Sequence, residues 1–95
     1  MIVCEITRYK SAPSAELRAE HLKFLRERGA KGEVLMAGRF ADARGGMILW
    51  KVGSMAEAEK IAVEDPYVRG RALTYELREW SATFDYTVDP PSVPA

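Results

Sequence analysis

Ninety-five residues make one small domain, and 47% hydrophobic with 29% charged side chains excludes an intrinsically disordered chain. Fourteen basic residues balance fourteen acidic ones, so no net field gathers nucleic acid or an anionic membrane. No run approaches the ~18 consecutive apolar residues of a membrane span.

The N-terminus runs straight into a strand-like pattern, without the basic start and long apolar core of a signal peptide. The single cysteine, Cys4, has no internal partner for a disulfide. A buried thiol in a reducing compartment is expected, and with it a cytoplasmic location.

Residues 2–9 are β-rich and partly alternating, with Ile2, Cys4 and Ile6 on one face. Ser11, Pro13 and Ser14 break that strand and cap a helix beginning at residue 14 or 15. At about 100° per residue, Leu17, His21, Phe24 and Leu25 fall in one arc, opposite Glu16, Glu20, Lys23 and Glu27. Gly29 and Gly32 supply the backbone freedom that ends it.

A second strand is expected over residues 33–40 and a third over 47–52, joined by the turn Asp42-Ala43-Arg44-Gly45-Gly46 as an antiparallel hairpin. Ser54 and Glu57 have capping-box spacing, and the helix they open presents Met55, Ala58, Ile61 and Ala62 inward. Pro66 is expected to stop it. A last strand covers about residues 72–82, with Leu73, Tyr75 and Leu77 alternating against Thr74, Glu76 and Arg78. The three prolines after Val88 favour an extended tail, so the domain is placed at residues 1–86 and the Pro-rich tail at 87–95.

The order βαββαβ predicts an α+β fold of the ferredoxin-like type, an antiparallel sheet with two helices on one face. The run Met47-Ile48-Leu49-Trp50-Lys51-Val52 is nearly continuous in apolar residues, as is Val34-Leu35-Met36-Ala37. Such strands call for cover on both faces. Two helices cover one face, and a second copy of the chain is expected on the other, making a homodimer.

His21 and the step Asp65-Pro66-Tyr67 carry the chemistry. A histidine on an apolar helix face becomes a general base when a carboxylate orients its ring, and Asp65 is the carboxylate that a helix end can hold. The structural alternatives stand beside this reading. His21 can be a satisfied core histidine, and Asp65 a cap for a helical turn in which Pro66 has no amide to waste. One carboxylate oxygen can cap while the other meets His21. Arg44-Gly45-Gly46 offers an arginine and open amides to an anionic oxygen, although a glycine turn explains it too. Met36, Met47 and Trp50 read as core, Tyr67 as a packing residue, and Trp80 and Phe84 as a dimer seam or strand end. No zinc-ligand spacing, phosphate-binding loop or nucleophile elbow occurs, so neither metal nor other cofactor is expected.

Four segments together resemble the YCII-related (YciI-like) family. Leu17-Arg18-Ala19-Glu20-His21-Leu22-Lys23-Phe24-Leu25 is similar to its R-x-x-H-L-x-x-L helix, and Ala37-Gly38 to its A-G strand end. Arg44-Gly45-Gly46-Met47-Ile48-Leu49 resembles its hairpin, and the run from Ala58 to Val68 its A-x-x-x-x-x-x-D-P-[FY]-V segment. The likeness covers about residues 1–84 and departs at Arg39-Phe40, near the expected pocket mouth, where many members have a proline. It implies a dimeric α+β barrel with a pocket and His21 and Asp65 as the candidate catalytic pair; Gly38, Arg44 and Tyr67 are the candidate substrate-binding residues. Some relatives dehydrochlorinate hydroxylated aromatics, and the wider superfamily includes muconolactone isomerases. The resemblance therefore implies a cofactor-independent lyase or isomerase acting on a small molecule. The alternative from a different class is a non-catalytic dimeric module that binds a small ligand or assists a partner enzyme.

Overall fold

Ser14 and Ser54 set the two main helices in place. Each lies in extended backbone and accepts an amide three residues on, from Leu17 and Glu57 respectively, both at 3.1 Å. The computed structural model describes residues 1–87, in the order β1 (Ile2–Tyr9), α1 (Ala15–Ala30), β2 (Val34–Arg39), β3 (Gly45–Lys51), α2 (Met55–Ala62), α3 (Pro66–Arg69) and β4 (Leu73–Trp80). Residues 88–95, which hold nearly all of the expected Pro-rich tail, lie outside the described residues. No described helix is long and apolar enough to cross a membrane.

The four strands form one antiparallel sheet in the order β2-β3-β1-β4. This is the expected α+β, ferredoxin-like arrangement. Because β1 is central, its residues are flanked on both sides: Glu5 pairs with Ile48 of β3 and Leu77 of β4. Alternation along β1 sends Val3, Glu5 and Thr7 inward, all buried, and Ile2, Cys4 and Ile6 to the other face. Val3, Ile48 and Trp50 pack with Ala58 and Ile61 of α2, and Phe24 and Leu25 of α1 close over them. The small Ala58 and Ala62, both fully buried, let α2 lie close to the strands.

Several boundaries differ from expectation, each for a local reason. Pro66 does not stop α2. That helix ends at Ala62 with Val63 as its cap, and Pro66 instead opens the one-turn α3, where its missing amide costs nothing. Gly45 and Gly46 belong to β3 rather than to the turn. A Cβ on Gly46 would lie 2.4 Å from the Gly38 carbonyl oxygen, so only glycine permits that approach of β2. The turn proper holds Ala43 at φ 59°, with Asp42 accepting the Arg44 amide at 3.0 Å. Gly32, at φ 78°, supplies the left-handed residue after α1.

Met36 and Met47, expected in the core, lie on the face away from the helices, with Met36 64% exposed. A register shift between Val34 and Met36 re-aims the edge strand there. Cys4 is half-buried on that same open face rather than sealed in the interior. Trp80 is 50% exposed beside it, and Phe84 is exposed and stacked on Tyr86. Trp50 alone of the three expected core residues is fully buried.

Candidate functional site

The site forms where α1 crosses the sheet opposite the short α3. Every residue of α1 remains at least partly exposed. Its inner arc covers a cavity of about 160 Å³ rather than close-packed side chains, and Leu22, Leu25 and Ile48 form part of its apolar wall. Arg18 and His21, one turn apart on α1, reach the same cavity, as do Tyr67 and Leu73 from the far side.

His21 Nδ1 donates to Asp65 Oδ1 at 2.8 Å. Asp65 is fully buried, whereas the His21 side chain keeps 13% of its surface. The carboxylate thus lies behind the ring, and the ring lies between it and the cavity. The same Oδ1 accepts the Tyr67 amide at 2.9 Å as the cap of α3. Capping and histidine-holding therefore share one oxygen instead of dividing the carboxylate, and Oδ2 is buried without a partner. Sharing is geometrically natural, since Oδ1 has more than one lone pair and both donors are N–H groups.

Tyr67 fixes the ring plane. Its phenol ring stacks on His21 with centroids 3.9 Å apart and planes 9° from parallel, and Tyr9 meets Tyr67 edge-on at 5.9 Å. Held by Asp65 at one edge and Tyr67 on one face, the imidazole has little rotational freedom. Burial, reinforced by Tyr9, pushes the Tyr67 phenol above its ordinary range against the opposing pull of Arg18 and Arg39. The hydroxyl is therefore a proton-bearing donor at neutral pH.

Of the residues singled out in the sequence, His21, Gly38 and Tyr67 line the cavity and Asp65 supports it from behind. Gly38 leaves open space where a Cβ would stand. Arg44 does not line it: this residue sits exposed at the hairpin turn, tied by its backbone to Asp42 and Tyr9. The Gly46 amide is not open either, because Thr7 Oγ1 accepts it at 2.9 Å. The cations at the cavity are Arg18 and Arg39. Arg18 was legible as the first letter of the R-x-x-H spacing, and Arg39 as the departure from proline after Ala37-Gly38.

Glu5 is a further group of interest that periodicity did not single out. It is fully buried on β1, with Oε1 accepting the Trp50 indole N–H at 3.0 Å and Oε2 without a partner. Burial, together with the charges of Asp65 and Glu59, pushes its carboxyl up to about 7 against the lowering effect of the Trp50 bond. Among the described residues there is no cluster of three or more side chains able to hold a metal ion.

The family model of the YCII-related domain matches residues 1–81. The chain belongs to the YCII-related family. The uncharacterized protein YjpA of Bacillus subtilis strain 168 is 34% identical over 62 residues, which is 65% of this chain and 73% of that protein. Among solved structures, 5-chloro-2-hydroxyhydroquinone dehydrochlorinase (TftG) from Burkholderia phenoliruptrix AC1100, in complex with 2,5-dihydroxybenzoquinone, is similar with a TM-score of 0.67. That likeness covers 85% of this chain and 94% of the dehydrochlorinase at 15% identity, and at that identity it shows the shared YCII-type fold alone.

Proposed function

We propose that this YCII-related protein is a cofactor-independent lyase or isomerase for a small hydroxylated ring, with His21 as general base and Asp65 as the residue that orients it. The observation that carries the reading is the 2.8 Å bond from His21 Nδ1 to the fully buried Asp65, at the wall of a cavity. With Nδ1 engaged, Nε2 is the nitrogen left for a bound molecule. It takes a proton from a hydroxyl, or from a carbon next to a carbonyl, and Asp65 stabilises the imidazolium that results. The freed electron pair then either expels a leaving group as its anion, a lyase step, or accepts a proton at another carbon, an isomerase step. In the second case the imidazolium returns the proton it took.

The surroundings suit that chemistry. Arg18 and Arg39 face the cavity where an oxyanion develops, and the Tyr67 phenol supplies a neutral donor. At about 160 Å³ the cavity is below the roughly 300–1,000 Å³ of drug-sized sites, which favours a single small ring. A chlorinated hydroxylated aromatic, the class named for the dehydrochlorinase of similar fold, is the first substrate to try.

A dimer belongs to the same proposal. Ile6, Met36, Met47, Leu49 and Trp80 lie on the sheet face that α1 and α2 leave open, and apolar surface of that kind marks an interface. A second copy of this face is its expected cover.

The non-catalytic reading draws on one observation: Asp65 also caps α3, a role that needs no reaction. The experiment that separates the two is turnover by the wild type and His21→Asn across halogenated phenols and hydroxylated lactones. Asparagine stays polar but takes no proton near neutral pH. Loss of a general base lowers kcat by ~10²–10⁴-fold with KM changed only a few-fold. Turnover that survives His21→Asn unchanged would remove the base mechanism and leave His21 as a structural histidine.

A further inference from the structure

Two arginines line the cavity beside His21, and no carboxylate does. Among the described residues, its polar side chains are Thr7, Tyr9, Arg18, His21, Arg39 and Tyr67. Asp65 reaches the cavity only through the ring of His21, which stands between them. The described ion pairs join His21 to Asp65 and Arg28 to Glu33 and Glu64, so neither Arg18 nor Arg39 has an acidic partner among the described residues. Acidic and basic side chains balance over the whole chain, which makes the excess of positive charge at this cavity a local one. Two cations that converge on one apolar-walled space raise each other's energy, and an anion bound between those walls relieves it.

The sheet register brings Arg39 to this place. Thr7 of β1 pairs with Gly46 of β3, and Gly46 with Arg39 of β2, so the three residues cross the sheet in one row. Thr7 is buried on the helix-covered face, and alternation along β3 puts Gly46 on the same face as Ile48 and Trp50. Gly46 has no side chain to fill the middle of the row, and all three residues line the cavity. Arg18 arrives from another element, one turn before His21 on α1. Both arginines remain exposed to solvent. Both charges also act on the Tyr67 phenol, which stacks on His21.

We propose that the molecule bound here carries a permanent carboxylate besides its hydroxyl, and that Arg39 is the specificity-determining residue that holds it. This rests on the reading of the cavity as the substrate site, and it narrows a small hydroxylated ring to a hydroxylated ring acid. The ring lies against the apolar wall of Leu22, Leu25 and Ile48. Arg18, beside His21, serves the oxyanion that forms when the base takes a proton. Arg39 serves the charge that is present from the start. Its flat fork of N–H donors matches the two oxygens of a carboxylate, and such charge-assisted bonds are stronger than neutral ones. A phosphoryl group, with its second charge, would call on both arginines and leave none for the oxyanion. A ring without any carboxylate would fill the cavity and leave Arg39 unanswered.

The test reads binding alone, so its failure is distinguishable from failure of the base mechanism, which the turnover of His21→Asn reads. The protein is titrated by NMR at neutral pH with 3- and 4-hydroxybenzoate, with their uncharged methyl esters and with phenyl phosphate. The backbone amides of Gly38 and Ile48 report from the cavity wall. At least one hydroxybenzoate is expected to bind about tenfold tighter than its ester, a modest factor because Arg39 is exposed. Arg39→Gln should bring acid and ester to within about threefold of each other. Lys60→Gln, which removes an exposed charge on α2 away from the cavity, should keep the preference. Equal affinity of acid and ester would overturn the proposal, as would a preference that survives Arg39→Gln or no binding of either acid at millimolar concentration. Phenyl phosphate bound more tightly than both hydroxybenzoates would overturn the choice of a carboxylate. Should Arg39→Gln fail to fold, the Arg39 Nε–H resonance of the wild type decides: it should move with the acid and stay with the ester, and the same response to both would overturn the proposal.

Discussion

The two faces of the sheet handle polarity in opposite ways. The helix-covered face encloses Glu5, Thr7 and Asp65 among Val3, Ile48 and Trp50, whereas the open face leaves Met36 and Trp80 at 64% and 50% exposure. A sheet shaped only for monomer stability would put these groups the other way round, because burying carboxyl groups costs free energy and exposing apolar ones forgoes it. The difference teaches what each face is for. On the covered side, desolvation is tolerated because it fixes a histidine and a carboxylate beside a cavity. On the open side, the exposed apolar surface fits the second copy proposed above.

The comparison breaks first at the core. Ile61→Ala removes a buried side chain of α2 against the covered face and is expected to cost about 2–5 kcal/mol in a denaturant titration. A loss below about 1 kcal/mol would mean that α2 is not packed as described. Asp65→Ala comes next, at about 2–4 kcal/mol, since α3 loses its cap and His21 its acceptor. A thermal melt unchanged by that substitution would show the cap and the buried bond to be idle.

Acidity sharpens the covered face further. Glu5 titrates near 4.5 when unfolded and at about 7 in the fold, so between these values the folded state keeps a proton that the unfolded chain has released. Stability should therefore fall as pH rises through that window and level off above it, by on the order of 3 kcal/mol from this group. Glu5→Gln should remove that slope. Unfolding measured from pH 4.5 to 8 in both proteins checks it, and parallel curves would contradict it.

The smallest effect on the fold belongs to the open face. Met36→Lys should change the stability of an isolated monomer by no more than about 0.5 kcal/mol, yet it places a charge in the proposed seam and should shift light scattering from dimer to monomer. A wild type that is already monomeric at micromolar concentration would remove the dimer from the account.

Much of the fold was legible because its signals are local. Ser14 and Ser54, the helical arc of Leu17, His21, Phe24 and Leu25, and the alternation of Leu73, Tyr75 and Leu77 each report their own element. The His21–Asp65 contact was legible from Asp65-Pro66 at a helix end and a lone histidine on an apolar helix face. What escaped depends on contacts across the sheet. Periodicity put Glu5 on the face opposite Ile2, Cys4 and Ile6; only the packing of α1 and α2 over Val3, Ile48 and Trp50 reveals that face as the interior. Met36 and Met47 erred in the converse sense, since apolar character alone does not say which face a helix covers. Arg44 was read as a cavity residue because glycines beside it resembled an open turn, yet Gly46 is glycine to admit the Gly38 carbonyl.

The central claim is that Asp65 works on His21 and is more than a cap, and Asp65→Asn tests it most directly. Asparagine caps a helical turn about as well as aspartate, so α3 should hold and stability should change by less than about 1 kcal/mol. It cannot stabilise an imidazolium by charge, and it can present the wrong group to Nδ1. With a substrate in hand, steady-state kinetics of a folded Asp65→Asn should show kcat lowered by ~10²–10⁴-fold with KM within a few-fold. A folded Asp65→Asn that turns over as fast as the wild type would contradict the account and leave Asp65 as the cap of α3 alone.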